Sequence, residues 1–200
     1  MPPQKSIFVT VGTTRYDALV ACASHPIFLS TAASLGYSLV VIQHGHGPAP
    51  SPQPASQPAV SSYSLKASIS PDMLASSLVI SHAGAGSVFE ALRSGKRLLV
   101  ACNPALADNH QQELAAAMAL GGHCAVAGDP LTPTSLAAGL REAATRSFHP
   151  LPPPDAAALQ LATQAASSRA ALVTARSKAA LYLMLLLAAL LFVYSLVKQR

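Results

Sequence analysis

Charge is scarce in this chain: only 10% of its 200 residues are Asp, Glu, Lys or Arg. A chain held open by self-repulsion needs far more, so disorder of the whole is excluded. Thirteen basic and eight acidic residues leave a net charge of +5. Two of the cations, Lys198 and Arg200, lie beyond an apolar tail, and the rest form no basic run interleaved with aromatics. Nucleic-acid binding requires such a clustered footprint and is not expected. Tryptophan is absent and there are only three cysteines, Cys22, Cys102 and Cys124, none in a CxxC pair. That excludes a disulfide framework or zinc ribbon and suits a reducing compartment. No GKS or GKT tripeptide occurs, which removes a P-loop NTPase. The chain is also too short for two full Rossmann-type domains.

What is present alternates. Short apolar runs at Ser6–Val11, Ser38–Gln43, Leu78–Ser81, Leu98–Ala101 and Cys124–Ala127 read as strands buried on both faces. Between them Asp17–Leu35, Ser87–Ser94, His110–Leu120 and Leu136–Thr145 read as helices. This order predicts an α/β fold, a Rossmann-like doubly wound parallel sheet over residues 1–150. A proline-rich stretch at 48–58 cannot hold a helix or central strand and is expected as a surface loop. Residues 151–178 read as a linker and an Ala-rich helix capped by Asp155. No secretory leader is expected, because Met1–Lys5 runs straight into a strand. At the other end Ala179–Val197 carries neither charge nor proline. As a helix it would span about 28 Å, close to a bilayer's hydrocarbon core. Arg176, Lys178, Lys198 and Arg200 flank it, and Tyr182 and Tyr194 sit near its ends. The expectation is a C-terminal transmembrane anchor; the alternative is a helix packed against a partner.

Chemistry concentrates at predicted strand ends. Leu78–Ser81 runs into His82-Ala-Gly84-Ala-Gly86-Ser87 and then a helix bearing Glu90. Glycines there allow close approach of a ligand to backbone N–H groups, and a helix N-terminus favours phosphate. Either this turn holds an anion or it is merely tight. Glu90 either completes a capping box with Ser87 or accepts hydrogen bonds from a ribose. A second turn, Gly12-Thr13-Thr14-Arg15, offers hydroxyls, N–H groups and a cation for an anion or sugar; the bland reading is a threonine N-cap. His44 and His46 lack a third ligand at useful spacing, so no metal is expected. Asn103 and the run Asp108-Asn109-His110-Gln111-Gln112-Glu113 supply amides, an imidazole and acids suited to sugar hydroxyls, or form an ordinary polar helix start. In an open α/β sheet these turns share the carboxyl edge, where ligands bind. Together they predict a site for a nucleotide bearing a hydroxylated group.

Several motifs together resemble a known family: VTVGTT followed by Tyr16, Asp17 and Leu19; Gln43, Gly45 and Gly47 as QxGxG; then Tyr63, Lys66 and Met73. LVISHAGAGSxxEAL with Gly95-Lys96 continues the match, as do Asn103 and Asn109-His110-Gln111 with Glu113-Leu114-Ala115. Over roughly Ile7 to His123 the chain resembles catalytic subunits of the eukaryotic UDP-N-acetylglucosamine transferase that adds the second GlcNAc to dolichol-linked GlcNAc diphosphate. It is similar to the donor-binding half of a GT-B enzyme, a family 28 C-terminal domain. The resemblance implies that the turns at Gly12, Thr13 and Thr14 and at Gly84, Gly86 and Ser87 cradle the UDP diphosphate. It implies that Glu90 holds the ribose and that Asn109, His110 and Gln111 face the GlcNAc hydroxyls with Glu113 nearby. His82 belongs to the donor-binding set and is the candidate general base by residue type, or else a structural histidine. No cofactor or metal is implied beyond the donor, UDP-GlcNAc. The reaction would be inverting and give a β1,4 linkage at the cytosolic face of the endoplasmic reticulum membrane. The expected partner is a separate, membrane-anchored, acceptor-side subunit, with dolichol-linked GlcNAc diphosphate as acceptor. The alternatives are a tail-anchored nucleotide-sugar-binding scaffold without catalysis, and a self-sufficient homodimeric transferase acting on another lipid.

Overall fold

The computed structural model describes residues 5–51, 58–103 and 110–151. The expected anchor at Ala179–Val197, the linker helix and the middle of the proline-rich stretch lie outside them. Among the described residues no helix is long and apolar enough to cross a membrane.

Six strands form one all-parallel sheet: β1 (Ser6–Thr10), β2 (Leu39–Gln43), β3 (Ala59–Tyr63), β4 (Leu78–Ser81), β5 (Arg97–Val100) and β6 (Ala125–Val126). Their order is β3-β2-β1-β4-β5-β6, so the direction of winding reverses between β1 and β4. Loops leaving those two strands diverge to opposite faces and open a crevice at the carboxyl edge. The register pairs Thr10 with both Gln43 and Ser81, which brings three strand ends level.

Alternation along the strands divides the core. Ile7, Val9, Val40, Ile42, Leu78, Ile80 and Leu99 face one side. There they meet α1 (Asp17–Ser24), α2 (Pro26–Ser34) and α6 (Pro133–Thr145) through Leu19, Phe28, Leu136 and Leu140. Phe8, Val79, Leu98 and Val100 face the other. On that side Met73, Val88, Leu92 and Ala115 come from α3 (Ser70–Ala75), α4 (Ala85–Arg93) and α5 (His110–Leu120). Both faces being covered explains why the central strands read as continuous apolar runs.

The structure corrects several predicted elements. The single helix Asp17–Leu35 is two, because Pro26 takes the first position of a new helix and His25, extended at ψ 143°, caps it by accepting from the Ile27 N–H. Helix α4 opens at Ala85 rather than Ser87, with Gly84 as its N-cap and no side-chain cap. Helix α6 opens at Pro133, three residues before the predicted Leu136, behind a Thr132–Ser135 capping box. Strand β3 and helix α3 were not expected. Strand β3 is an edge strand whose Ser61 and Ser62 are exposed, so it lacks the apolar signature of its neighbours.

Candidate functional site

One cavity of about 470 Å³ opens at the switch point between β1 and β4. Gly12 and Thr13 line it from the end of β1, His82 and Gly84 from the end of β4, and Gly86, Ser87 and Glu90 from α4. The opposite wall is the Leu65–Ser70 segment between β3 and α3. Seven of the residues predicted to bind the donor therefore meet, Gly12, Thr13, His82, Gly84, Gly86, Ser87 and Glu90, joined by Gln43 and Lys66 from the motifs.

Two turns are fastened together at this cavity by Gln43, which lines it and is 1% exposed. Its Nε2 donates to the carbonyls of Gly12 at 2.7 Å and Ser64 at 2.9 Å. Its Oε1 accepts from Thr10 Oγ1 at 2.6 Å and from the Gly12 N–H at 3.0 Å. Gln43 thus locks the β1 turn to the β3–α3 loop. The sequence offered Gln43 only as part of a motif; a lone amide at a strand end gives no local signal of this role.

His82 is 4% exposed and fills the space between the two glycine turns. A Cβ on Gly12 would lie 2.7 Å from His82 Cε1, and one on Gly84 would lie 2.5 Å from Nε2. The ring's Nδ1 donates to the Thr10 carbonyl at 3.3 Å, which leaves Nε2 unprotonated. Burial lowers the His82 pKa below 6.5, against the opposing effect of the Thr10 carbonyl. The folded chain thus resists a proton that the unfolded chain accepts. Stability from this group is complete above about pH 6.5 and is lost as pH falls through 6.5 toward the lower folded value. The unfolding free energy from urea titration should accordingly drop between pH 7 and pH 5, by at most about 1.4 kcal/mol per pH unit from this one proton. His82→Gln should flatten that slope; an unchanged slope would assign it to other groups.

Ala83 follows at φ +74°, a left-handed conformation unusual for a residue with a Cβ, and then Gly84 stands as the N-cap of α4. With no side chain on that terminus, the first-turn N–H groups are left for an anion, and the dipole favours negative charge. Ser87 is the third residue of the helix, not its cap, so the capping box with Glu90 is not made. Glu90 instead accepts a short hydrogen bond from Ser70 Oγ across the cavity.

Other predicted residues stand elsewhere. Thr14 Oγ1 turns back to the Val11 carbonyl at 2.7 Å and does not line the cavity. Neither threonine caps α1, whose N-cap is Tyr16. Arg15 pairs with Asp17 at 2.6 Å, in an exposed salt bridge outside the cavity. His44 Nδ1 donates to the Gly47 carbonyl at 2.8 Å, a turn contact. Asn103 is buried and its Nδ2 donates to the Arg15 carbonyl at 3.1 Å, tying the β5 end to the β1 turn. Gln111 and Glu113 sit in the first turn of α5 and are not among the cavity-lining residues. The Gln111 Oε1 is buried without a hydrogen-bond partner among the described residues. Asn109 and the side chain of His110 lie outside the described residues. Missed by the sequence reading were Ala67, Ser68, Ile69 and Ser70, which depend on the unexpected strand β3. Among the described residues no group of three His, Cys, Asp or Glu side chains is placed to hold a metal.

A family model described as the glycosyltransferase family 28 C-terminal domain matches residues 6–170. The chain is 44% identical over 120 residues to a Homo sapiens protein named UDP-N-acetylglucosamine transferase subunit ALG13, covering 60% of this chain and 11% of that one. A Yarrowia lipolytica protein of the same name is 34% identical over 126 residues, covering 62% of this chain and 64% of that one. The chain thus spans about a tenth of the human relative and under two thirds of the yeast one. Among solved structures, the NMR structure of ALG13 superposes with a TM-score of 0.57 at 26% identity, covering 78% of this chain and 94% of that one. MurG from Acinetobacter baumannii shares the fold, with a TM-score of 0.53 at 19% identity over 70% of this chain and 41% of its own.

Proposed function

The chain belongs to the glycosyltransferase family 28 C-terminal domain family, and from that footing we propose that it is the donor-binding, catalytic subunit of a UDP-GlcNAc transferase. The observation that carries the proposal is the single cavity uniting the β1 turn, the β4 turn, the uncapped start of α4 and Glu90. The diphosphate lies beside the Gly12–Thr13 turn and against the Gly84–Ser87 backbone N–H groups at the α4 terminus, which stabilise the departing UDP. Glu90, already a hydrogen-bond acceptor from Ser70, keeps a second oxygen for a ribose hydroxyl. A metal is not required in this scheme: of the described residues lining the cavity, Glu90 alone carries a carboxylate, a poor donor set for a hard cation.

In the proposed reaction the 4-hydroxyl oxygen of an acceptor GlcNAc bonds to the donor anomeric carbon. The bond from that carbon to the UDP oxygen breaks, and the hydroxyl proton passes to a base. The carbon inverts and a β1,4 linkage results. His82, wedged between two turns at 4% exposure, is better placed as a spacer than as the base. The base then comes from an acceptor-side subunit, consistent with the word subunit in the names of the relatives. The acceptor is GlcNAc diphosphate on dolichol, at the cytosolic face of the endoplasmic reticulum membrane.

The test is transfer of radiolabelled GlcNAc to a GlcNAc-diphosphate lipid, with and without the acceptor-side subunit. Label incorporated only with both subunits supports the proposal. Incorporation by this chain alone favours a self-sufficient transferase, and UDP-GlcNAc binding without any transfer favours a scaffold. Glu90→Gln should weaken UDP binding about tenfold by calorimetry, since an amide replaces a charged acceptor; unchanged affinity would remove Glu90 from the site.

A further inference from the structure

The wall facing Glu90 is the weakest-supported part of the cavity. Strand β3, which leads into it, is the edge of the sheet, and α3, which follows, is only six residues long. Residues 64–68 are all exposed. The far end of α3 is fixed: Met73 is fully buried, and Lys96 Nζ donates to the carbonyls of Leu74 at 2.5 Å and Ser76 at 2.9 Å. Besides the Gln43 bond to the Ser64 carbonyl and the Ser70 bond to Glu90, the near end is held by three side chains. Tyr63 OH donates to Asp72 Oδ2 at 2.6 Å, and Lys66 Nζ donates to Asp72 Oδ2 at 2.8 Å and to Oδ1 at 3.1 Å. The same ammonium stands 3.8 Å from the centre of the Tyr63 ring. These contacts join the last residue of β3, the middle of the loop and the helix. Lys66 lines the cavity, whereas Asp72 does not.

We propose that Asp72 is a positioning residue for the donor nucleotide: with Tyr63 it pins Lys66, and through Lys66 it sets the Leu65–Ser70 wall at the distance a bound nucleotide needs. The inference rests on the donor-binding reading above and extends it to a residue outside the cavity. The carboxyl group is suited to the task. Burial would raise its pKa, but hydrogen bonds from Lys66 and Tyr63 outweigh burial and hold it below the usual carboxylate value, so it is ionised at neutral pH. A wall held before the ligand arrives spares the ordering cost of binding.

Two measurements on the full chain test this: UDP affinity by calorimetry, and the rate of tryptic cleavage after Lys66. Asp72→Asn should weaken UDP binding about tenfold and speed cleavage at Lys66 several-fold. Tyr63→Phe, which removes one hydrogen bond and keeps the ring, should do the same to a smaller degree. Asp72→Glu should recover part of the affinity, and Lys66→Met/Asp72→Asn should bind no more weakly than Lys66→Met alone. Additive losses in that pair, or wild-type affinity in Asp72→Asn, would overturn the proposal, as would cleavage at the wild-type rate. Should the wild-type chain itself fail to bind UDP, the donor-binding reading falls and the role of Asp72 toward a nucleotide falls with it. The cleavage rates then still report whether Asp72 pins the loop.

Discussion

Replacing Gly84 with alanine should weaken UDP binding about a hundredfold, and removing the His82 ring from the same chain should restore most of that loss. The backbone at Gly84, φ −64° and ψ 128°, is ordinary for any residue, so alanine suffers no conformational penalty there. The obstacle is steric. Its Cβ would lie 2.5 Å from His82 Nε2 and 2.7 Å from Cε1, inside any tolerable contact. The ring cannot easily retreat, because it is buried, bonded to Thr10 and bracketed by Gly12 on its other flank. The turn must therefore move, taking with it the N–H groups of α4 that the diphosphate needs. A hundredfold corresponds to about 2.7 kcal/mol, the scale of a few displaced charge-assisted hydrogen bonds. The crossed experiment separates contact from conformation. Gly12 stands at φ +63°, where any other residue is strained, and its Cβ would also strike His82, at 2.7 Å. Gly12→Ala should therefore stay impaired when His82→Ala is added, whereas Gly84→Ala should recover to the level of His82→Ala alone. Equal recovery at both positions, measured by calorimetry with UDP, would refute this account of the two glycines.

How legible the molecule was in its sequence depended on where each residue's information resides. Strands β1, β2, β4 and β5 are buried from both faces, so their runs of Val, Ile and Leu announce them. Strand β3 borders solvent and carries Ser61 and Ser62 after a proline-rich stretch, so composition pointed to loop instead. Everything depending on β3 was lost with it: helix α3, the Ser68–Ser70 wall and the bond from Ser70 to Glu90. The glycine turns were visible because Gly12 and Gly84 sit at strand ends. What the sequence could not supply was the reason for them, since the His82 ring that forbids a Cβ at Gly84 reaches Gly12 from seventy residues away. The break at Pro26 was in plain view, and the unbroken apolar pattern on both sides of it favoured a single helix. Thr14 and Arg15 show the converse failure: residues of suitable chemistry at a strand end that satisfy the Val11 carbonyl and Asp17 instead.

Gln43 carries the second large effect, on stability first and on binding as a consequence. Gln43→Leu preserves bulk but removes two donors and an acceptor from a site that is 1% exposed. The Gly12 N–H keeps a bond to Thr10 Oγ1 at 3.1 Å, and the Ser64 carbonyl keeps the Gly45 N–H at 3.2 Å. The Gly12 carbonyl and the Thr10 hydroxyl lose the bonds that Gln43 supplied. Each buried polar group left unsatisfied costs about 1–3 kcal/mol, so the variant should lose about 4 kcal/mol, or roughly 10 °C in thermal midpoint. Gln43→Glu should fare little better, because its carboxylate would face the Gly12 and Ser64 carbonyls with no proton to offer either. Thr10→Val is the control: it deletes one hydroxyl whose two neighbours keep each other, since the Gly12 N–H still reaches Gln43 Oε1. Its cost should be under half that of Gln43→Leu in urea unfolding. UDP affinity should fall with Gln43→Leu even at temperatures where the chain stays folded, because the β1 turn and the β3–α3 loop are no longer tied to one side chain. A Gln43→Leu variant that unfolds at the wild-type midpoint would mean that water or backbone rearrangement satisfies those groups, and that the rim of the cavity has another fastening.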